Sequence, residues 1–478
     1  MNDIKYTWRG IARVTVESVT PLALGSGEAD GVLDSLVARD VNGLPYLPGT
    51  SIAGVLRHME GVGQNPEENR ITPEDNLWGY QSRKVCHGSE LIFSEGRMVG
   101  KDGKPVDGLQ KISANDEFYG QFMTDLPVRQ HARIGHRGTV DGSGKYDNQV
   151  VFAGARFTFE VEIVATDEVG ADKLKGILAN VGSDVFRIGG GTRKGYGQMK
   201  VIRAQYKSYD LNVESQRKAY LSHSARLSDD FDGADITKDL KKETEGWKSY
   251  TLTLKANDFF LFGSGLADDE ADMTPVSEKV IAWEGDKPSV TTSRKRTLIP
   301  AASVKGALAH RTAFYYNKKT QAFADQEPDL TKHIGAYNEA VKALFGYQSP
   351  EAEDDEKKGK LHRGNVLISD VFLEKVADTK ILNHVKIDRF TGGAVDSALF
   401  SEKVSRGKDK EIKIELSVDT KALKERTETD KAASDVVWAF NAAIKDLLSG
   451  RLPLGGGVNR GNGIFTGTMS PEAEIKID

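Results

Sequence analysis

The sequence predicts an α+β protein made of two tandem copies of one unit, and three observations lead there. The first is internal repetition. Leu24-Gly-Ser-Gly27 is matched by Phe262-Gly-Ser-Gly265, and Leu47-Pro-Gly-Thr-Ser-Ile-Ala-Gly54 by Ile299-Pro-Ala-Ala-Ser-Val-Lys-Gly306. Leu77-Trp-Gly-Tyr-Gln-Ser82 pairs with Leu344-Phe-Gly-Tyr-Gln-Ser349, and His131-Ala-Arg-Ile134 with His384-Val-Lys-Ile387. Last in both series comes Gly189-Gly-Gly-Thr-Arg-Lys-Gly-Tyr-Gly197, matched by Gly455-Gly-Gly-Val-Asn-Arg-Gly-Asn-Gly463. Ordered matches of this kind are a duplication, not coincidence. The second observation is strand alternation: Phe157, Phe159, Val161 and Ile163 in one half, Ile412, Ile414, Leu416 and Val418 in the other. The third is a helical stretch after each strand, about 172–181 and 431–448, the latter with Val436, Val437, Phe440, Ile444 and Leu447 on one face.

Each element then has its place. A helix is expected after each Pro-Gly/Ala-Thr/Ala-Ser segment, with Ser51 and Ser303 as N-caps. A last strand follows each glycine-rich loop, at 198–201 and 464–469. The polar stretch 208–249 divides the chain into a first repeat, 1–207, a charged linker, 208–249, and a second repeat, 250–478.

Composition narrows the function. With 38% hydrophobic and 28% charged residues in 478, the chain buries a core and is not disordered. No apolar run reaches the ~20 residues that span a bilayer, and the start, with Asp3, Lys5 and Arg9, has no signal-peptide core. The expectation is a cytoplasmic protein with no membrane partner. The single cysteine, Cys86, excludes an intrachain disulfide and a Cys-rich zinc site. Net charge is −5, yet 185–209 and 287–311 contain Lys and Arg without one acid, while acids gather at 229–245 and 351–356. Such local basic surfaces suit a polyanion, although chance clustering on solvated faces gives the same pattern.

The glycine loops are not nucleotide loops. Neither supplies the Gly-Lys-Ser/Thr of a P-loop, and each is preceded by a helix and followed by a strand, the reverse of a dinucleotide fold. Two readings remain: a structural turn, or a backbone cradle for phosphates with Lys194 or Arg460 as its cation.

The glycine motif near the end of each half resembles that of the RAMP superfamily of CRISPR-associated proteins. Leu33-Asp-Ser-Leu36 followed by Leu47-Pro-Gly-Thr-Ser-Ile-Ala-Gly-Val-Leu-Arg57 looks like the Asp loop and helix start of backbone subunits in type III CRISPR effector complexes. Lys386-Ile-Asp-Arg-Phe-Thr-Gly-Gly-Ala394 resembles the stretch leading into their thumb hairpin, and the tandem form is similar to the double-repeat subunit of type III-D-like systems. The resemblance implies a ferredoxin-like (RRM-like) core in each repeat with inserted thumb hairpins and loops. It also implies assembly with other effector subunits, binding of a guide crRNA by its backbone, and metal-dependent endoribonuclease cleavage of the paired target RNA.

On that resemblance Asp34 is the catalytic and Mg²⁺-binding residue of the first repeat. Counting back from Pro300 as Asp34 lies from Pro48 selects Asp286 for the same two roles in the second repeat. Asp272 and Asp269 are its rivals, because Gly265 to Pro300 is longer than Gly27 to Pro48. Residues expected at the RNA are Ser51, Arg57, His131, Arg133, Arg193 and Lys194 in the first repeat. In the second repeat they are Ser303, Lys305, His384, Lys386, Arg389 and Arg460. Two alternatives stand: a non-catalytic guide scaffold, and a precursor-RNA-processing enzyme with a His-centred site.

Overall fold

The computed structural model describes residues 6–29, 33–63, 71–82, 85–135, 138–347, 362–374, 378–407, 411–427 and 429–477. The acidic run 351–356, Asp30 and the pair 348–349 of the repeated Gln-Ser lie outside them.

The first repeat runs β1 (Trp8–Ser18), α1 (Gly49–Met59), β2 (Leu91–Phe93), the hairpin β3 (Val128–Ile134) and β4 (Val140–Gln149), β5 (Arg156–Ala165), α2 (Glu168–Ala179) and β6 (Met199–Asp210). Its sheet is antiparallel in the order β6-β1-β5-β2. After a short helix α3 (Glu214–Leu221), the second repeat runs β7 (Trp247–Ala256), a hairpin of β8 (Ser277–Glu284) and β9 (Lys287–Ile299), α4 (Ala301–Thr320) and β10 (Val366–Ile368). A second long hairpin, β11 (Thr379–Ile387) and β12 (Ala394–Arg406), leads to β13 (Ile412–Asp419), α5 (Asp430–Leu448) and β14 (Phe465–Ser470). The order β14-β7-β13-β10 repeats the first sheet strand for strand. Both are the βαββαβ order of a ferredoxin-like fold, each with a long hairpin inserted between its second and third strands.

The alternating residues point inward. Phe157, Phe159, Val161 and Ile163 are buried under α1 and α2, and Ile412, Ile414, Leu416 and Val418 under α4 and α5. Asp167 caps α2 through Gly170 N and Thr429 caps α5 through Ala432 N. The expected serine caps are not formed. Pro48 and Pro300 occupy the N-cap positions, so Ser51 and Ser303 fall inside the first turn. The start of α4 is capped from outside, by Asp370 Oδ1 accepting from Ala301 N at 2.8 Å.

The junction is packed rather than free. Ile11, Tyr209 and Phe231 bury one another on the outer face of the first sheet, and Arg13 donates to the carbonyls of Leu227 and Asp229. A sheet covered on both faces explains the apolar Ile11 opposite the main core.

The repeats meet at one buried cluster. Arg129 of β3 donates to Glu278 of β8 (2.8 Å) and to Asp370 just after β10 (2.5 Å), with its guanidinium 4.9 Å from the centre of the Tyr196 ring. Around it, Arg187 donates to Ser369, Gln198 to Glu415 and Arg193 to the Gly364 carbonyl. The β8–β9 hairpin packs back on the first repeat, with the Trp283 indole donating to Gly154 O and Arg156 stacked over that ring. Breaking a buried ion cluster by removing one partner costs about 3–5 kcal/mol. Arg129→Met is therefore expected to lose that much in urea denaturation. Adding Glu278→Gln and Asp370→Asn should restore part of it, because no buried carboxylate is then left unpaired.

Candidate functional site

Both long hairpins are closed at the base in the same way. In the first repeat the His131 ring stacks on Tyr146 (4.7 Å between centres), and Lys194 of the glycine loop lies over that ring while donating to its hydroxyl at 2.6 Å. In the second, His384 stacks on Phe400 (4.9 Å) and Arg460 of the second glycine loop lies over it. The repeats differ in what satisfies the histidine. Tyr196 bonds His131 at 2.9 Å, whereas the fully buried Glu402 bonds both His384 (3.0 Å) and Arg460. Burial, then the nearby Lys194 charge, lowers His131 from its ordinary 6.5 to about 4, so it is neutral at pH 7.

The glycine loops use their glycines on the chain itself. Gly189, Gly191, Gly195 and Gly197 have positive φ, as do Gly455, Gly457, Gly461 and Gly463. A Cβ on Gly197 would lie 2.2 Å from Ile188 O, and one on Gly463 2.0 Å from Leu454 O. The amides of Gly190 and Gly456 donate to Ala23 O and Leu261 O. At these positions the close approach is to chain of the same repeat, as the structural-turn reading has it, and the cation is turned toward the hairpin.

The Asp loop is clasped to that same hairpin. Asp34 is exposed, and its Oδ2 accepts from Asp147 N on β4 at 2.9 Å beside a Ser35–Asn148 bridge. In the second repeat Asp272 Oδ2 accepts from Ser401 N (2.8 Å) and Ser401 Oγ (2.9 Å), beside a Met273–Glu402 bridge. The residue that corresponds to Asp34 is thus Asp272. This corrects the spacing argument for Asp286, which sits instead in the turn joining β8 and β9, against Gly103 of the first repeat. The inserted β8–β9 hairpin lengthened the segment and displaced the count. Among the described residues Asp269 makes no such contact with the hairpin.

The remaining expected contacts differ in how far they reach solvent. Arg133 on β3, and Lys386 and Arg389 at the end of the second hairpin, are exposed. Arg57 instead donates to the carbonyls of Val62, Gly63 and Trp78, tying down the end of its own helix. Arg193 is turned into the joint between repeats, and Lys305 donates to Phe345 O, its pKa lowered by burial to about 8. A cleft of about 520 Å³ lies between the first hairpin and α4, lined by His131, Arg133, Lys194, Lys305 and His310. A second, of about 480 Å³, runs along α1 past Ser51 and His58 to Gly190, Arg187 and Arg363. Ser303 is exposed on the first turn of α4. Sequence reading missed Tyr146, Phe400, Asp147 and Tyr196; only Tyr196, placed between two loop glycines, carried a signal. Among the described residues no three His, Cys, Asp or Glu side chains gather as a metal cage, and no helix is long and apolar enough to cross a membrane.

Two ferredoxin-like sheets, each with an inserted hairpin closed by a glycine-rich loop, define a tandem α+β repeat protein. The RAMP superfamily model matches residues 15–200 and 284–466, and the chain belongs to that superfamily, whose members are CRISPR-associated RNA-binding subunits. No curated protein matches the chain.

Two measurements follow. Between pH 6.5 and about 4 the unfolded chain takes up a proton that folded His131 resists, so stability falls as pH falls through that window. His131→Gln should flatten this part of the pH–stability curve. Replacing Arg133, Lys386 and Arg389 with alanine should weaken single-stranded RNA binding for every sequence and reduce the salt slope in filter binding. Arg57→Ala should lower thermal stability and leave that slope in place.

Proposed function

We propose that the chain is an RNA-guided RNA-targeting subunit of a type III CRISPR effector complex, with a guide crRNA held along both repeats. The target RNA paired to that guide is cut at the Asp loops. One observation supports this above the rest: each repeat presents an exposed aspartate fastened by its own carboxylate to the base of its hairpin. The clasp fixes the loop, and the Asp34 side chain it holds is exposed.

The first clasp suits a hard divalent ion such as Mg²⁺. Asp147, whose amide holds Asp34, has its own Oδ1 buried with no hydrogen-bond partner among the described residues. Mg²⁺ is commonly held by one or two carboxylates with substrate oxygens completing its shell. Bound between Asp34 and Asp147, it would stabilise charge developing on a phosphodiester. The protein's own share is positional. Asp34 orients the loop against β4, and the exposed hairpin cations hold backbone phosphates, so that a 2′-hydroxyl can be aligned with its neighbouring phosphorus.

In the second repeat Ser401 replaces Asp147 and places two donors on one oxygen of Asp272. That site has one carboxylate where the first has two. The scaffold reading is therefore favoured there over equal activity, and cutting at Asp272 is expected to be the slower. A His-centred processing site finds less support. His131 is neutral and bonded to Tyr196, and His310 is bonded to Ile134 O across the joint.

The test is fragment mapping on a guide-paired target with Mg²⁺. Asp34→Ala should reduce one cut by about 10²-fold or more with guide and target binding unchanged. Asp272→Ala should remove the weaker neighbouring cut, and Asp286→Ala should remove none. A target with a 2′-deoxy nucleotide at the cut should stay intact. Loss of no cut in Asp34→Ala would overturn the nuclease reading and leave the scaffold.

A further inference from the structure

The face of the first sheet turned away from α1 carries a cleft of its own. Side chains alternate along β1: Val14 and Val16 enter the core, while Arg13 and Glu17 serve the other face. The cross-strand neighbours of Glu17 are Arg156 on β5 and Lys200 on β6. Arg156 donates to one Glu17 oxygen at 2.8 Å and to Gly285 O at 2.9 Å. Lys200 bridges the other oxygen at 2.7 Å with about half of its side chain exposed.

The opposite wall of the cleft is the β8–β9 hairpin. The first repeat closes the same stretch with a short Arg39–Pro45 bridge, so this wall has no counterpart there. Arg296 of β9 stands directly across from Glu278, but both oxygens of that carboxylate are taken by Arg129. Among the described residues no acid pairs with Arg296, and its Nε is buried without a hydrogen-bond partner. A charged N–H withdrawn from water and left unbonded is costly, so this arginine lacks an acceptor.

The space beside it is large enough to supply one. Arg156, Lys200, Arg296 and Glu17 line a cleft of about 380 Å³, with Val19 and Val280 on its walls. That volume is at the lower end of pockets that hold small molecules. Three cations against one carboxylate leave two positive charges in excess. A backbone phosphodiester brings one negative charge, whereas a phosphomonoester brings about 1.5 to 2 at pH 7. Guanidinium N–H groups match phosphate oxygens, and the two valines suit an organic body behind the phosphate.

We propose that this cleft binds a phosphomonoester the size of a mononucleotide, with Arg296 gripping the phosphate and Lys200 as the second cation. Two sources share this chemistry: a free nucleoside monophosphate, and the phosphorylated 5′ end of an RNA. No residue of the site belongs to the Asp loops or to the exposed cations of the two long hairpins. It therefore stands or falls apart from the nuclease reading.

The test is isothermal titration of the full chain with adenosine 5′-monophosphate. Saturable binding tighter than about 1 mM is expected, with none for adenosine. Arg296→Gln should weaken it roughly ten-fold or more and leave the melting temperature of the free protein in place, since its Nε has no partner to lose. Lys200→Met, at a half-exposed side chain, should weaken it as well without touching the hairpin. No saturable binding, equal binding of adenosine, or unchanged affinity in both variants would overturn the site. Inorganic phosphate binding as tightly as the nucleotide would overturn the mononucleotide assignment. A trinucleotide with a 5′-phosphate and the same trinucleotide with a 5′-hydroxyl then serve as competitors. Displacement by the phosphorylated form alone supports the site with an RNA end as its ligand, and displacement by neither supports it with the free nucleotide. Displacement by both would show that a diester suffices and overturn the monoester.

Discussion

The buried guanidinium of Arg129 is the constraint on which the arrangement of this chain depends. A charge taken this far from water is tolerated only when fully paired. Its partners come from different places: Glu278 from an inserted hairpin, Asp370 from the end of a central strand, Tyr196 from the glycine loop. Satisfying them fixes three parts of the molecule at once. Asp370 also caps α4, and Gly195 must be glycine for the loop to pass Ala301 and Asp370. Hairpin base, glycine loop and the next repeat's first helix are therefore one mechanical unit. Hydrophobic burial stabilises each repeat, but it is indifferent to how the two are aligned. The directional ion cluster supplies the alignment.

Around that joint the duplication preserved geometry and changed chemistry. The stack of histidine on an aromatic ring under a loop cation is the same in both repeats, yet its polar partner changed from Tyr196 to Glu402. The exchange has a physical logic. Lysine over tyrosine can be satisfied by the ring and its hydroxyl, whereas arginine over phenylalanine has no hydroxyl to bond and takes a carboxylate instead. The Asp clasp diverged in the same way, from an aspartate to a serine partner. Two sites can share a frame and still differ in the side chains they offer.

The duplication, the alternating strands and the order of elements were legible in the sequence because each rests on local periodicity or on repetition. Asp34 stood out through its motif, while its clasp to Asp147 N did not. The position of Asp272 was not, because counting residues assumes equal loops and β8–β9 is an insertion that counting cannot see. The serine caps failed for a related reason: a proline three residues earlier already sets the backbone that begins the helix, and the cap for α4 arrives from Asp370, about seventy residues later in the chain. Arg57, Arg193 and Arg460 were legible as cations but not as engaged ones, since sequence shows a charge and hides its partner. Asp370 had no sequence signal at all, being one acid among seventy.

That last point bears on how an acidic chain can present itself to a polyanion. The net charge is −5, and several cations in the two basic segments are used internally, Arg187 and Arg193 at the joint and Lys194 on Tyr146. An attraction that survives physiological salt must then come from charges close to the ligand, since the screening length is only about 8 Å. The hairpins meet this condition. Arg133, Lys386 and Arg389 stand out from the sheets, away from the acidic junction folded over the back of the first one. Placing cations on projecting strands while tying the loop cations into the base separates two tasks that the sequence alone assigns to one motif: the glycine loop sets where each hairpin stands, and the hairpin keeps its cations exposed.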